Sequence, residues 1–559
     1  MADQQKKSYT AAGVYAFLWY VPVVAILAVT PLIVYLTVLP VPETFRKFWI
    51  SDFNFDFFSF CKARWFIIWS VVLLLSFLLC LYKRKDEYLS FAWRTKYFWI
   101  VWIVFTLSIL LSAVFSPVPQ IAWGGMFDRY EGGWVWVSYC LLLAASAFLL
   151  RHDTDFRYFT GAIIFSTTII ALIGVFQYFG MDLFRSDFGQ WIILPAKFIT
   201  AKFGFTFGKG KIYSTFYNTN YGGNIAGIAL PLAVCRCLFV SGFKRGATLL
   251  LGYALLIFVL ATGSRSQAGA FGLFVAFTFL IIYLVRHDRS KLKHLALIFT
   301  LFIPIFIGMD IYADGAISGK FVSTFLIKKL AVQPPVEDTP LKDQTQPPVG
   351  DNLLNEQKQP LTGDALLNEQ KKMIRNNLMQ VKDRVLFGEA FFDEKIIDYG
   401  HLGGGRGYIY LRALELLLKS PSWLGTGPDT FILSFPQEDA YRLFGGFPRP
   451  ELIDKMHSMF LQIWFNTGPV SFITFVLMLL LHFANSVQIF WKIQAKTYIE
   501  VHGLGFFLGW MGFLGAALFN DSAISVSPYF WAVFGASIAA NYVIRSTNPL
   551  FTGILAGES

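Results

Sequence analysis

Charge is scarce in this sequence. Only 15% of its 559 residues are Asp, Glu, Lys or Arg, where a soluble domain carries about a quarter, and that excludes an ordinary water-soluble fold. Cysteine is scarce too. Cys61, Cys80, Cys140, Cys235 and Cys237 lie in or beside apolar runs with no pairing pattern, which excludes a disulfide framework. The Cys235-Arg236-Cys237 triplet lacks the further ligands of a zinc site. A nucleotide-binding loop is missing as well. "GTGPDTF" at 425–431 has no following Lys-Ser/Thr, so it reads as a tight glycine turn. Nor does the chain divide into two similar halves, as a transporter built from inverted repeats does.

Hydrophobic residues are plentiful: 55% of the chain, with a mean hydropathy of +0.53. A helix needs about 20 apolar residues to cross a bilayer, and twelve stretches qualify, near 12–40, 63–82, 98–116, 134–150, 159–180, 220–240, 247–263, 267–285, 294–312, 459–484, 501–519 and 526–544. The first run is far longer than the core of a signal peptide and reads as a retained helix. The expected fold is therefore an all-α polytopic membrane protein of about twelve transmembrane helices.

The net charge of +11 would suggest nucleic acid in a soluble chain, but here it is dispersed among the links, so nucleic acid is not an expected partner. Lys6/Lys7, Lys83-Arg84-Lys85 with Arg94 and Lys96, Arg151 with Arg157, and Lys244-Arg245 fall on one side of the alternation. Arg286, Arg289, Lys291 and Lys293, then Lys492 with Lys496, and Arg545 fall on the same side. The positive-inside rule makes that side cytoplasmic. Residues 1–312 then hold helices one to nine. Residues 313–457 form one large extracytoplasmic loop between helices nine and ten, and 458–559 hold the last three helices and a cytoplasmic tail. The loop begins with a Pro/Gln-rich insert (about 333–373) expected to be disordered. It includes a short tandem repeat, "GDNLLNEQKQPLT" followed by "GDALLNEQKKMIR". "YIYLRALELLLK" at 408–419 reads as an amphipathic helix, with Arg412 and Glu415 away from its apolar face.

Of seven histidines, His152, His287, His294, His482 and His502 fall at cytoplasmic helix ends or links, where ordinary interfacial roles suffice. His401 and His457 fall outside. His457 stands where the polar loop meets an apolar helix, in the company of basic residues on the side the rule disfavours. Arg265, in "TGSRSQAG", lies in a link of a few residues and therefore near membrane depth, which makes it a functional candidate. Arg129 sits in "GGMFDRYEGGW" beside Asp128 and Glu131, which could simply pair with it. Lys209 and Lys211 belong to a longer basic link, and Arg406 to the loop. Guanidinium groups grip phosphate oxygens in a fork, so an outer face rich in arginine suits a lipid-borne phosphate. A sugar on a lipid diphosphate already has a good leaving group. It needs only charges to steady that diphosphate and a base for the acceptor hydroxyl. No metal or other cofactor is required.

Four segments carry a family resemblance: "STFYNTNYGGNIAG" (214–227), which contains Asn220; "TGSRSQAG" (262–269); "GRGYIYLRALELLLKSPSWLGTGPDTF" (405–431); and "HSMFLQIWFNTG" (457–468). In this order, with "DRYEGGW" (128–134) ahead of them, they resemble the O-antigen ligase and polymerase family of polytopic membrane glycosyltransferases. Ser458 stands where Asn is usual and Tyr410 where Trp is usual. The resemblance implies catalytic roles for His457, Arg265 and Arg406; Arg129 and Asn220, within its motifs, and Lys209 and Lys211, from the basic outer link, are the expected substrate contacts. It implies a polyprenyl-diphosphate-linked glycan donor such as undecaprenyl diphosphate, and a glycan, lipid or protein hydroxyl as acceptor. The expected setting is the outer face of a bacterial cytoplasmic membrane, among its lipids. A multi-helix transporter of an anionic glycolipid is the competing reading.

The topology has a direct test. A reporter active only outside the cytoplasm, fused near Gln346, is expected to be active; activity of a cytoplasm-only reporter at that point overturns the assigned sidedness.

Overall fold

The computed structural model of the chain describes residues 20–46, 51–199, 212–216, 218–261, 267–312, 315, 318, 389–419, 422–447 and 452–551. Arg265, Lys209, Lys211 and the tandem repeat lie outside the described residues. The rest is overwhelmingly helical, and the chain is an all-α polytopic membrane protein. Its helices of seven residues or more are α1 (Tyr20–Leu32), α2 (Phe60–Lys83), α3 (Lys85–Arg94), α4 (Lys96–Val114), α5 (Gly133–Leu149), α6 (Asp153–Tyr178), α7 (Asp187–Ile193), α8 (Asn220–Phe239), α9 (Phe243–Ala261), α10 (Gln267–His287), α11 (Ser290–Tyr312), α12 (Glu389–Tyr399), α13 (Arg406–Lys419), α14 (Met459–Phe490), α15 (Tyr498–Ala517) and α16 (Ser527–Thr547). Among the described residues nine are long and apolar enough to cross a membrane. The shorter α1 and α5 and the buried α16 account for the remaining three of the twelve expected stretches.

The first stretch ends earlier than its hydropathy suggests. Pro31 tightens the last turn of α1 into a 3-10 helix over Thr30–Leu32. The β-branched run beyond it turns extended, and Thr37–Pro40 pairs antiparallel with Phe53–Asp56.

The described chain forms two compact units. One comprises Met1–Ile317, Leu417–Phe435 and Leu452–Ser559; the other comprises Ser318–Leu416 and Pro436–Glu451. In the first, α15 packs against α8 and α10, α16 against α5, and α14 against α4. Lipid tails give apolar side chains little reason to prefer one another, so close backbone approach must hold such helices together. Glycine supplies it here. A Cβ on Gly512 of α15 would lie 2.1 Å from the carbonyl oxygen of Gly227 in α8, and one on Gly272 of α10 would lie 1.9 Å from that of Gly512.

Links assigned to one side by charge do meet at one end of this unit. Arg151 lies 3.5 Å from Glu87, Arg236 Nη1 is 3.0 Å from His502 Nε2, and Arg286 donates to the Trp491 carbonyl. Among the described residues, the α4–α5 and α15–α16 links and the start of α14 come together elsewhere in the unit, at the candidate site. Two histidines depart from their expected interfacial setting. His482 is 2% exposed, inside α14 among Phe507, Trp510 and Phe534. His502 is also buried, stacked on Tyr498.

The second unit corrects another expectation. Arg412 and Glu415 of α13, expected on the face away from the apolar one, are themselves buried. Arg412 reaches Asp393 of α12 at 3.0 Å and Asp439 at 2.8 Å, and also pairs with Glu415. One guanidinium with three carboxylates satisfies the buried charge that an apolar face alone would leave unpaired.

The glycine contact yields a prediction. Gly512→Leu forces backbones apart, at a cost of about 1–3 kcal/mol or more, and is expected to lower thermal stability in detergent clearly. Gly161→Ala, where a Cβ meets nothing within 4 Å, should leave it unchanged or slightly raised. Equal stability of the two variants contradicts the packing described.

Candidate functional site

Five segments of the first unit build the site: the α4–α5 link around Arg129, the start of α8, the turn at 425–429, residues 454–457, and the α15–α16 link around Asp521. The turn is made by Gly425 (φ 69°) and Gly427 (φ 113°). A Cβ on Gly425 would meet the Asn466 carbonyl at 2.4 Å, and one on Gly427 the Ser116 hydroxyl at 2.4 Å. Only glycine fits there, and the turn delivers Asp429 into the site. Left-handed backbone is costly for other residues and tends to concentrate at functional sites. Here Asp128, Tyr130, Asp429 and His457 all adopt it, with φ between 54° and 64°.

Arg129 joins three of these segments. Its Nη2 lies 2.7 Å from Asp454 Oδ2, and its Nη1 lies 3.8 Å from Asp429 Oδ1. Its partners are therefore not its sequence neighbours Asp128 and Glu131. The other Asp429 oxygen accepts from the backbone amides of Met126 at 2.6 Å and Glu131 at 3.2 Å, which binds the turn to the α4–α5 link. Lys455, also buried, donates to the Tyr221 hydroxyl at 2.7 Å. Glu131 accepts from Tyr139 at 2.6 Å and from Ser522 at 2.8 Å. Between these groups runs a narrow polar cleft lined by Asp128, Arg129, Glu131, Tyr221, Lys455 and residues 522–525.

His457 stands at the edge of this arrangement, partly exposed, with its Nδ1 3.5 Å from Asp521 Oδ2. Asp521 itself is 3% exposed. Met459 donates its amide to the Asn520 carbonyl at 2.9 Å, and Ser522 donates its amide to Gln462 at 2.9 Å. The start of α14 is thus fastened to the α15–α16 link on both sides of the acid. A carboxylate against Nδ1 selects the tautomer protonated there and leaves the ring's lone pair on Nε2.

The carboxyls are driven apart in acidity. Burial pushes Asp521 up, but the His457 hydrogen bond and charge, with Lys455 and Arg129, pull it down to about 2. Burial lifts Glu131 to about 7 against the hydrogen bonds from Tyr139 and Ser522. Burial likewise lifts Asp429 to about 6 despite Arg129, and burial with the nearby Asp56 lifts Asp128 to about 6. Lys455 is shifted upward: burial opposes its charge, but the surrounding Tyr221, Asp454 and Asp521 outweigh that. At neutral pH the cleft holds two firm cations, an ionised Asp521 and a Glu131 near half-protonation.

Of the residues picked out in the sequence, His457 and Arg129 share this cluster. Asn220 opens α8 beside Tyr221 and is buried. Its Oδ1 meets no hydrogen-bond donor among the described residues. Arg406 is the first residue of α13, in the second unit. Asp521, Lys455, Tyr221 and Asp454 were not picked out. Asp521 had a readable signal, being the lone acid in a short link between two apolar helices. The others had none, because their role comes from partners distant in the chain.

Residues 248–476 match the family model described as O-antigen ligase. The match bears out the resemblance carried by the motifs, and it spans Arg265, Arg406 and His457. An O-antigen ligase-like function, of glycosyltransferase type and in a multi-pass membrane protein, follows in general terms. A comparison with curated proteins finds no match.

Glu131 makes the site's pH response testable. Its folded-state value, about 7, lies above its ordinary value of 4.5. The folded state therefore holds the proton longer than the unfolded state, and stability declines as pH rises from about 4.5 through 7. Glu131→Gln is expected to flatten that decline in detergent melting curves; an unchanged pH slope overturns the assignment.

Proposed function

We propose that this chain, whose residues 248–476 match the O-antigen ligase family, moves a glycan from a polyprenyl-diphosphate donor to an acceptor hydroxyl on the outer face of the cytoplasmic membrane. The observation that carries the reading is the His457–Asp521 pair at 3.5 Å beside a cleft lined by the buried cations Arg129 and Lys455. The acceptor oxygen attacks the anomeric carbon while His457 Nε2 takes its proton. The bond from that carbon to the diphosphate oxygen breaks, and the polyprenyl diphosphate leaves with the electron pair. Asp521, charged across the neutral range, stabilises the imidazolium so formed. It acts through His457 and is a positioning residue.

Arg265 and Arg406 are assigned to the donor diphosphate on their family motifs alone. The fork of a guanidinium matches adjacent phosphate oxygens better than an ammonium does. Arg129, Asn220, Lys209 and Lys211 are assigned to substrate contacts. For Arg129 and Asn220, support comes from the cleft lining and the unsatisfied Oδ1. Leaving-group charge is met by arginine in this scheme, so no metal is invoked. Transfer in the presence of a chelator is its expected behaviour.

Loss of general-base help typically costs about 10²–10⁴-fold in rate. His457→Ala is therefore expected to insert and melt like the parent yet transfer glycan at least about a hundredfold more slowly. Asp521→Asn should lose rate with little change in KM. Adding it to His457→Ala should cost little more, because the two act as a unit. A well-inserted His457→Ala protein with near-parental transfer of a lipid-linked glycan sinks the proposal.

A further inference from the structure

Away from the polar cleft, the end of α1, the extended segment Ile33–Tyr35, the first three turns of α2 and the last residues of α7 enclose a groove of about 550 Å³. Leu32, Tyr35, Trp65, Ile68 and Ile192 form its walls, and Ile68 and Ile192 stand open to the surroundings. Among the described residues its one charged wall residue is Arg64. That side chain is exposed, with its guanidinium 5.2 Å from the centre of the Phe60 ring. Among the described residues no carboxylate lies within ion-pair distance of it.

An arginine in the second turn of a membrane-crossing helix is expensive unless an anion meets it. The apolar walls call for hydrocarbon, whereas the guanidinium calls for phosphate oxygens. A single class of molecule in a bilayer supplies both at the right depth. We infer that this groove is a seat for a phosphate-bearing lipid, with the chain along Leu32, Trp65 and Ile68 and the phosphate on Arg64.

This seat does not depend on the transfer reaction. It is built from different helices than those flanking Arg265 in sequence. α2 packs on α1 and α5, whereas α9 packs on α6, α8 and α11. It does adjoin the site's framework, since the Phe60 ring lies 5.1 Å from that of Tyr130. A lipid held at Arg64 would thus rest beside the loop that carries Arg129.

The groove has a built-in probe. Cys61 lines it and is partly exposed, whereas Cys80, Cys140, Cys235 and Cys237 are buried. The full-length protein in a neutral detergent is treated with N-ethylmaleimide, with Cys61→Ser as the background. Phosphatidic acid is compared with diacylglycerol of the same chains, which differs only by the phosphate. A charge-assisted contact of this kind is worth about a factor of ten or more in affinity. Phosphatidic acid is therefore expected to slow alkylation of Cys61 at roughly tenfold lower concentration than diacylglycerol. Arg64→Leu should erase that difference and Arg64→Lys keep part of it. Ile68→Trp, which narrows the groove where the lipid chain is placed, should weaken protection by both lipids while leaving Arg64 in place. Equal protection by the two lipids, or a phosphate preference that survives in Arg64→Leu, overturns the proposal. Should Arg64→Leu fail to fold, Arg64→Lys serves in its place, and a phosphate preference undiminished in Arg64→Lys, or protection undiminished in Ile68→Trp, overturns it as well.

Discussion

A guanidinium withdrawn from water holds the polar end of the first unit together. Arg129 arrives from the α4–α5 link, Asp429 from a turn three hundred residues later, and Asp454 from the approach to α14. Neither Arg129 nor Asp429 is tolerable alone at such burial; paired with each other, and with the half-exposed Asp454, they become mutually necessary. Asp429 is bound further by two amides of the loop that carries Arg129, so neither partner can move without exposing the other. The cluster contributes modestly to stability after the cost of desolvation. Its larger effect is to fix the direction from which the chain enters α14, and with it the backbone of His457.

That clamp works only because the helices beneath it cannot slide. Gly227, Gly272, Gly512 and Gly515 let α8, α10 and α15 approach backbone to backbone. α8 presents Asn224 to Asn520 across the interface, at 2.8 Å. Lys62 adds a second fastening, fully buried in α2 and donating to the Thr215 carbonyl at 2.7 Å. It ties the segment before α8 to the helix that begins beside the Arg129 loop. Polar groups therefore concentrate where the chain turns around, and glycines where it crosses. The two devices divide the work of a fold that water does not compress.

The spans were legible because hydropathy and length follow from the bilayer itself. Contacts such as Arg151 with Glu87 and Arg286 with Trp491 join links that the charge pattern had grouped together. His457 and Arg129 could be singled out as charges in unlikely places. Asp521 stood out locally as a lone acid in a short link, but its pairing with His457 was not legible, since the two lie sixty-four residues apart and the contact exists only once α14, α15 and α16 have packed. Arg412 misled for a related reason. An arginine on a helix ordinarily marks the wet face, but three carboxylates from α12, α13 and the segment at Asp439 turn that face inward. His482 misled because a hydropathy window locates the end of an apolar stretch, whereas α14 continues to Phe490 as a helix. In each case the signal was periodic or compositional, and the outcome was decided by a partner distant in sequence.

The separation of acidities across the cleft completes the physical argument. Asp521 and Glu131 are both nearly devoid of solvent, and Ser522, the residue after Asp521, donates to Glu131. Yet one is held near 2 and the other near 7. Burial acts on both in the same direction, so the difference lies in neighbours. Asp521 faces an imidazole, an ammonium and a guanidinium, whereas for Glu131 two hydroxyls come first and the acid Asp429 is set against the single guanidinium of Arg129. Two carboxyls with divided acidities are what a site needs if one must remain charged while a proton is handled next to it. In the proposed transfer the proton lands on His457, where Asp521 is already ionised and waiting. Were Glu131 ionised as firmly, a second full negative charge would stand beside Asp521, set against the positive field of Arg129 and Lys455. Burial holds Glu131 near half-protonation instead, and so leaves that field less opposed.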